Sequence, residues 1–265
     1  VDGEFRNKLT GASFDVNDYG LIKQPKISAV FSPTEAYSVY ANWGRTFQAG
    51  VGASTYLIPP RVTDLDPSIN DGWELGVKLN PVQWIEARIA YWQQEASGEE
   101  RRRLNDPSNE SDNIGETKRR GVDFQIDVRP GDKWNLWLAY AQQKSTIVTP
   151  DPASPTTKGK EIDHVPHYIF TGGIDYQANA KLRFSLTANG HGDYFLERTN
   201  STGKFGGHYL LNAGLSYQIT KAINLDFQIK NLADRYWEYV WHDGTQSLHS
   251  PGDRRAYYAS VNATF

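Results

Sequence analysis

The last residues of the chain, "RRAYYASVNATF" at positions 254–265, decide the fold. Tyr257, Ala259, Val261, Ala263 and Phe265 alternate with the polar residues between them, which is the period of a strand with one apolar face. A strand that runs to an aromatic last residue is not typical of the polar tail of a soluble domain. The pattern therefore predicts an ordered strand in a sheet.

The same kind of strand recurs along the whole chain in pairs. Each pair is joined by a tight turn, and the five turns are "SPTEA" at 32, "LNPVQ" at 79, "RPGDK" at 129, "QANAK" at 177 and "ITKA" at 219. These turns carry Pro, Gly, Asn or Asp, or are short enough to close a hairpin. The count gives eleven strands, near 25–31, 36–46, 72–79, 83–94, 117–128, 133–144, 166–176, 181–190, 207–218, 222–233 and 254–265.

The connections opposite the tight turns are long and polar. They cover about 47–71, 96–116, 146–164, 191–206 and 237–251 and hold stretches such as "TPDPASPTTKGKE". Short turns on one rim and long loops on the other are typical of a transmembrane β-barrel of the bacterial outer membrane, with the loops outside. We predict an all-β, antiparallel barrel segment over 21–265, preceded at 1–20 by the end of an extracellular loop.

Eleven strands that start outside do not make a complete bacterial barrel, because the strand number of such barrels is even. We expect the chain to be the C-terminal part of something larger, and the alternative is a miscount by one strand. A soluble propeller is a further alternative, but each repeat supplies only two long strands. Aromatic residues toward strand ends favour the membrane, as in an interfacial belt: Tyr37, Trp43, Trp73, Trp84, Trp92, Trp134, Tyr140, Tyr168, Tyr209, Tyr217 and Tyr257.

Composition excludes several other classes of function. The 265 residues include no Cys, which rules out a disulfide scaffold, a thiolate metal site and a Cys nucleophile. A net charge of −3 without a basic stripe argues against nucleic-acid binding. Eight charged residues fall on the polar face of their strands. In a barrel this face lines a hydrated lumen, so folding alone explains their placement and no catalytic role is needed. They are Glu74, Glu86, Arg88, Asp123, Asp127, Arg183, Asp226 and Lys230.

Two stretches near the end carry a resemblance to a known family. "IKNLADRYWEY" at 229–239 and "SPGDRRAYYASVNATF" at 250–265 resemble the closing strands of TonB-dependent outer-membrane receptors. The resemblance implies the last eleven strands of a 22-stranded barrel whose plug and first half are missing here. It also implies an insertion signal formed by Tyr257 and the terminal Phe265.

The resemblance implies active uptake of a ferric siderophore, or of cobalamin, haem or a saccharide, across the outer membrane of a Gram-negative bacterium. An energy-coupling TonB complex would act through a TonB box on the missing plug, and lipopolysaccharide would surround the barrel. Iron would arrive with the ligand, so no cofactor, catalytic residue or metal ligand of the chain itself is expected. A passive channel for sugars or other small solutes, and an enzyme or adhesin built on a barrel, remain as alternatives.

Candidate ligand-binding residues are the aromatic and basic residues of the long connections. Arg offers forked, charged donors and aromatic rings stack on flat groups, so both suit an anionic metal chelate. The candidates are Tyr56, Arg61, Arg101, Arg102, Arg103, Tyr194, Arg198, Trp241, His242 and His249. The spacing of His164 and His167 suits a metal pair poorly, because Pro166 intervenes and no third ligand is evident.

Overall fold

Eleven long strands form one antiparallel sheet in the computed structural model. The structure describes residues 3–49, 55–56, 66–102, 111–242 and 246–264. At 101–102 and 111–113 it describes only the backbone. The long strands are β3 (Lys26–Thr34), β4 (Tyr37–Gln48), β5 (Ser68–Val82), β6 (Ile85–Ser97), β9 (Glu116–Val128), β10 (Trp134–Thr149), β11 (Tyr168–Asn179), β12 (Leu182–His191), β15 (His208–Gln218), β16 (Ile223–Lys230) and β19 (Ala256–Ala263). The predicted number and order of strands are confirmed.

Eight short strands form four hairpins in segments that the sequence predicts as loops. They are β1 (Glu4–Arg6) with β2 (Ser13–Asp15), β7 (Glu100–Arg102) with β8 (Ser111–Asn113), β13 (Tyr194–Phe195) with β14 (Lys204–Phe205), and β17 (Glu238–His242) with β18 (Ser247–Pro251). Sequence reading misses them because strands this short have no alternation long enough to detect. The first hairpin lies within the segment 1–20, whose assignment to an external loop stays a prediction.

The long strands follow one another as a meander, from β3 at one edge to β19 at the other. The connections at 35–36, 83–84, 129–133, 180–181 and 219–222 lie at one rim, called here the short-turn rim. The opposite, long-loop rim carries the loops L1 (49–67), L2 (98–115), L3 (150–167), L4 (192–207) and L5 (231–255). All five predicted turns are confirmed.

The strand register sorts side chains onto two faces. Val39, Val77 and Ile89 lie side by side on three strands, and the row continues through Phe124 and Tyr140. Many members of this apolar face are open to the surroundings, including Leu75 at 51% exposure and Val261 at 67%. An exposed apolar face of this extent needs an apolar medium or a partner. Within the described residues, no helix is long and apolar enough to cross a membrane.

All eight charged residues predicted to share the other face lie on it by register. Several are paired there: Arg88 donates to Glu74 at 2.8 Å, and Arg183 donates to Asp175 at 2.8 Å. These pairs neutralise the charges of Glu74, Arg88 and Arg183 within the sheet itself.

Aromatic rings of the polar face cover glycines on the neighbouring strand. A Cβ atom added to Gly76 would lie 2.3 Å from Cζ of Tyr40, and one added to Gly121 would lie 2.7 Å from Cζ2 of Trp92. The prediction that Trp92 belongs to an interfacial belt is therefore wrong, since its indole lies on the polar face and donates to Asp123 at 3.0 Å. Its position near a strand end suggested the belt, although the alternation of β6 puts Trp92 on the same face as Arg88.

We expect Gly76→Ala to destabilise the sheet by about 1–3 kcal/mol, because overpacking displaces the neighbouring ring. The Tyr40 ring is 7% exposed and its hydroxyl accepts from Arg88 Nε at 2.7 Å, so it has little room to move. Thermal unfolding in detergent measures the effect. Gly72→Ala is the matched control, because its added Cβ would lie 3.6 Å from the nearest atom. Equal stability of the two variants would contradict the prediction.

Candidate functional site at the long-loop rim

Two small apolar clusters pack parts of the long loops together. One joins Ile114, Ile147 and Ile162, so it links L2, β10 and L3. The other joins Tyr194 and Leu196 of L4 to Val240 of L5, with Phe205 packed against it. Buried apolar contacts between loops are what fix loop positions relative to one another.

Polar contacts tie L3 to L4 as well. The Glu161 backbone N–H donates to Asn200 Oδ1 at 2.7 Å, and Asn200 Nδ2 donates back to the Glu161 carbonyl at 3.0 Å. The His164 N–H donates to the Phe195 carbonyl at 2.9 Å. Arg198 lies 3.4 Å from Asp163 across the same contact.

The tip of L4 is organised around one carboxylate. Glu197 accepts from the Thr199 hydroxyl and from the backbone N–H groups of Thr199, Ser201 and Thr202. Burial alone would raise the pKa of Glu197, but these hydrogen bonds prevail and lower its pKa to about 2. Ionised Glu197 thus holds the turn at neutral pH.

The resembling stretch "NLADRY" forms a corner between β16 and the start of β19. Asn231 is 3% exposed, has a positive φ of 49°, and exchanges hydrogen bonds with the backbone N–H and carbonyl of Arg235. Asp234, with φ of 51°, accepts two hydrogen bonds from Arg254 and one from the Arg255 N–H. Asn and Asp tolerate this backbone region better than other residues with a side chain. Asn231 and Asp234 therefore have a structural role.

A cleft of about 630 Å³ opens at the long-loop rim where β11, β12 and β15 meet L4 and L5. Its lining comes from both faces of the sheet and from the loops, and comprises Tyr168, Phe170, His191, Asp193, Lys204, Phe205, Gly206, Gly207, His208, Tyr209, Arg235, Tyr236, Trp237 and Glu238. The aromatic side chains form most of its walls, and Lys204 and Arg235 supply positive charge.

Stacked rings and one cation define the chemistry of the cleft. The Trp237 ring stacks on His208 with centroids 4.7 Å apart, and His208 meets His191 edge-on at 4.5 Å. The Arg235 guanidinium lies 4.1 Å from the centre of the Tyr209 ring. Arg235 makes no ion pair within the described residues, whereas Lys204 lies 3.7 Å from Glu161. Such a cleft can bind a flat or aromatic anion.

Two of the predicted ligand residues, Tyr194 and His249, contact residues that line this cleft. Tyr194 is 7% exposed in the cluster between L4 and L5, and it pairs with Phe205 in the β13–β14 hairpin. The His249 ring meets Phe205 at 5.7 Å, and His249 Nδ1 lies 3.1 Å from Glu238. Arg198 of L4 forms an ion pair with Asp163 of L3. Their role in binding stays a prediction.

The other predicted residues lie elsewhere. Tyr56 bridges to Val16 and contacts the Phe5 ring at 5.1 Å, beside the first hairpin. Trp241 and His242 belong to β17, and His242 Nδ1 lies 3.3 Å from Ser247 Oγ. Arg101 and Arg102 lie in β7, where only the backbone is described; Arg61, Arg103 and Phe265 lie outside the described residues. Tyr257 is 61% exposed on the apolar face.

Sequence reasoning missed His191, His208, Arg235 and Trp237. A signal existed, because His191 ends one strand, His208 begins the next, and the two pair directly in the register. In the part of the chain that the structure describes, no group of three His, Cys, Asp or Glu side chains is arranged to hold a metal ion. His164 and His167 instead contact Asp163 at 2.9 Å and Glu161 at 2.6 Å.

An antiparallel meander with an exposed apolar face, short turns at one rim and packed loops at the other defines a segment of a β-barrel of the outer-membrane type. A family model described as "TonB dependent receptor-like, beta-barrel" matches residues 3–232. The chain belongs to this TonB-dependent receptor family.

Solved structures share the fold. The unliganded ferric citrate transporter FecA superposes with a TM-score of 0.76 at 20% identity, covering 98% of this chain and 40% of FecA. The ferric yersiniabactin uptake receptor FyuA of Yersinia pestis gives 0.74 at 17% identity, covering 91% and 37%. The ferripyoverdine receptor of the Pseudomonas aeruginosa outer membrane gives 0.68 at 18% identity, covering 96% and 33%. The chain therefore spans less than half of each. No curated protein sequence matches it significantly.

We expect the L4 turn to loosen at low pH. The folded pKa of Glu197, about 2, lies below its ordinary value of 4.5, so its contribution is complete above about pH 4.5 and is lost as the pH falls through 2. Hydrogen exchange, corrected for intrinsic rates, should show the protection of the Ser201 and Thr202 amides decreasing over this range.

Glu197→Gln should lower that protection about tenfold at pH 7, because a charge-assisted hydrogen bond is worth more than a neutral one. The matched control is Glu35→Gln in an exposed turn at the opposite rim. Unchanged protection in Glu197→Gln would show that the carboxylate does not hold the turn.

Proposed function

We propose that the chain is the C-terminal part of the barrel of an outer-membrane receptor for TonB-dependent, active uptake of a ferric siderophore or a similar bulky metal chelate. The family match over 3–232 supports the class of protein. The observation that carries the ligand class is the aromatic cleft at the long-loop rim with Arg235, which makes no ion pair within the described residues. Iron comes with the ligand and the chain itself performs no reaction.

In this proposal the long-loop rim faces outward and the apolar face contacts lipid. The edge strands β3 and β19 pair with strands of the first half of a 22-stranded barrel, which leaves no open sheet edge in the membrane. The polar face then lines the lumen and meets a plug. The plug's TonB box would receive energy from the inner membrane, as the family name indicates.

The ligand would bind above the lumen between the loops. L3, L4 and L5 are already fixed to one another, and a preorganised site loses less entropy on binding. Arg235 would donate to an anionic group, while Trp237 and His208, which stack on each other, would pack against flat parts of the chelate. Tyr56, Tyr194, Arg198, Trp241, His242 and His249 stay candidates from neighbouring loops, and Arg61 and Arg101–Arg103 stay predictions from sequence.

The proposal is tested by measuring how the intact receptor binds each member of a panel of ferric siderophores, cobalamin, haem and a saccharide. We expect an anionic ferric chelate to bind and Arg235→Gln to weaken it at least tenfold, because a hydrogen bond to a charged group is worth about 1.5–3 kcal/mol. Quenching of tryptophan fluorescence measures the affinity. Lys221→Gln at the short-turn rim is the control. Binding of the saccharide alone would overturn the ligand class.

Uptake by cells separates the receptor from the alternatives. An active receptor should accumulate the bound chelate only when TonB is present, whereas a passive channel should admit small solutes without it. Accumulation that is independent of TonB would favour the channel. Turnover of the ligand by the purified protein would favour an enzyme instead.

We expect Phe265→Asp to lower the amount of receptor in the outer membrane, because a charge would replace the terminal aromatic residue of the proposed insertion signal. The receptor that does assemble should keep its ligand affinity. Quantitative blotting of outer-membrane fractions measures the level, and Thr264→Asp is the control at the neighbouring residue. Normal levels of Phe265→Asp would contradict the role of Phe265.

A further inference from the structure

Two basic residues lie directly opposite each other on the apolar face near the long-loop rim. Arg120 of β9 and Lys144 of β10 are register partners in an undistorted part of the ladder. Both side chains are exposed. Side chains directly opposite on one face have Cβ atoms about 5 Å apart, and like charges in such a pair repel. The pair is thus unfavourable unless an anion lies between them.

The basic pair lies just beyond the aromatic residues of the apolar face. Tyr91 pairs with Val122, and Arg120 is the next residue toward the rim on that face of β9. Lys144 follows Tyr140 on the same face of β10, with Gln142 between them, and the Tyr140 ring stacks on Tyr168 at 6.2 Å. Aromatic belts mark the boundary between hydrocarbon and headgroups, so the pair is at headgroup level.

Neighbouring carboxylates do not neutralise the pair. Glu95 contacts Lys118 at 3.0 Å, and Glu161, which bridges to Thr146, contacts His167 and Lys204. The residue opposite Arg120 on β6 is the neutral Gln93. Within the described residues, neither Arg120 nor Lys144 has an ion-pair partner.

We propose that Arg120 and Lys144 bind the phosphate group of a lipid headgroup in the leaflet at the long-loop rim. Arg presents a fork of donors that matches two phosphate oxygens, and Lys adds a second charge from the neighbouring strand. A lipid is the occupant because the pair belongs to the face that carries the apolar residues, where acyl chains would cover Val122 and Tyr140. The proposal rests on the membrane orientation proposed above.

Native mass spectrometry of the intact receptor in detergent tests this site. The probe is lipid A, a diphosphorylated glycolipid, with its dephosphorylated form and inorganic phosphate as separate arms. Basic residues near a lipid surface contribute about 1 kcal/mol each, or roughly fivefold in affinity, so Arg120→Gln/Lys144→Gln should weaken lipid A binding about 25-fold. The control Lys133→Gln/Lys221→Gln removes the same amount of charge at the short-turn rim and should leave the affinity for lipid A unchanged.

Several results would overturn the site. Equal binding of dephosphorylated lipid A would show that phosphate is not recognised, and an unchanged double variant would show that these two residues are not involved. Competition by inorganic phosphate at the same concentration as the lipid would assign the pair to a free anion. Binding of the ferric chelate by the double variant should be normal, which separates failure of this site from failure of the uptake function.

Thermal unfolding gives a second readout that does not depend on mass spectrometry. Without lipid, Arg120→Gln/Lys144→Gln should unfold at the same temperature as the parent or higher, because a repulsive pair has been removed. With lipid A the parent should gain more stability than the variant. A variant that is less stable without lipid would mean that the pair stabilises the sheet by itself, against the proposal.

Discussion

Hydrogen bonding between neighbouring strands is the constraint on which the rest of the structure depends. Each long strand is paired along its length with its sequence neighbours, and the register determines the face of every side chain. Slipping one strand by a residue would exchange the Val39–Val77 row with the Ser38–Lys78 row. In a bilayer this would expose charge to hydrocarbon and leave apolar residues in the lumen, so the register and the environment support each other.

The loops depend on that sheet but add order of their own. The apolar cluster of Tyr194, Leu196 and Val240, together with the contact between Asn200 and Glu161, joins three loops into one platform. The Asn231–Asp234 corner then connects this platform to the last strand through Arg254. Asn231 and Asp234, two residues of the stretch that resembles the family, thus form a structural connection between the loop platform and the edge of the sheet.

The two faces of the sheet carry different side chains and therefore suit different partners. At the long-loop rim, where side chains of both faces meet the loops, aromatic rings and Arg235 form the cleft proposed for the ligand. On the apolar face, the same strands carry hydrophobic residues, then aromatic residues, and then the Arg120–Lys144 pair toward the rim. This order follows the layers of a membrane from hydrocarbon to headgroup. One alternating pattern is thus compatible with both the proposed uptake and the proposed lipid contact.

The sequence by itself determined the eleven strands, the five turns and the polar face of Glu74 and Arg88, because a period of two and the turn residues act locally. The same alternation puts Trp92 on the face of Arg88 in β6, but its aromatic side chain and its position near a strand end suggested the interfacial belt. Sequence reading also missed the cleft, because His191 and His208 are far along the chain from Arg235 and Trp237. Only the tertiary structure brought them together, since contacts between loops depend on long-range packing that no local pattern encodes.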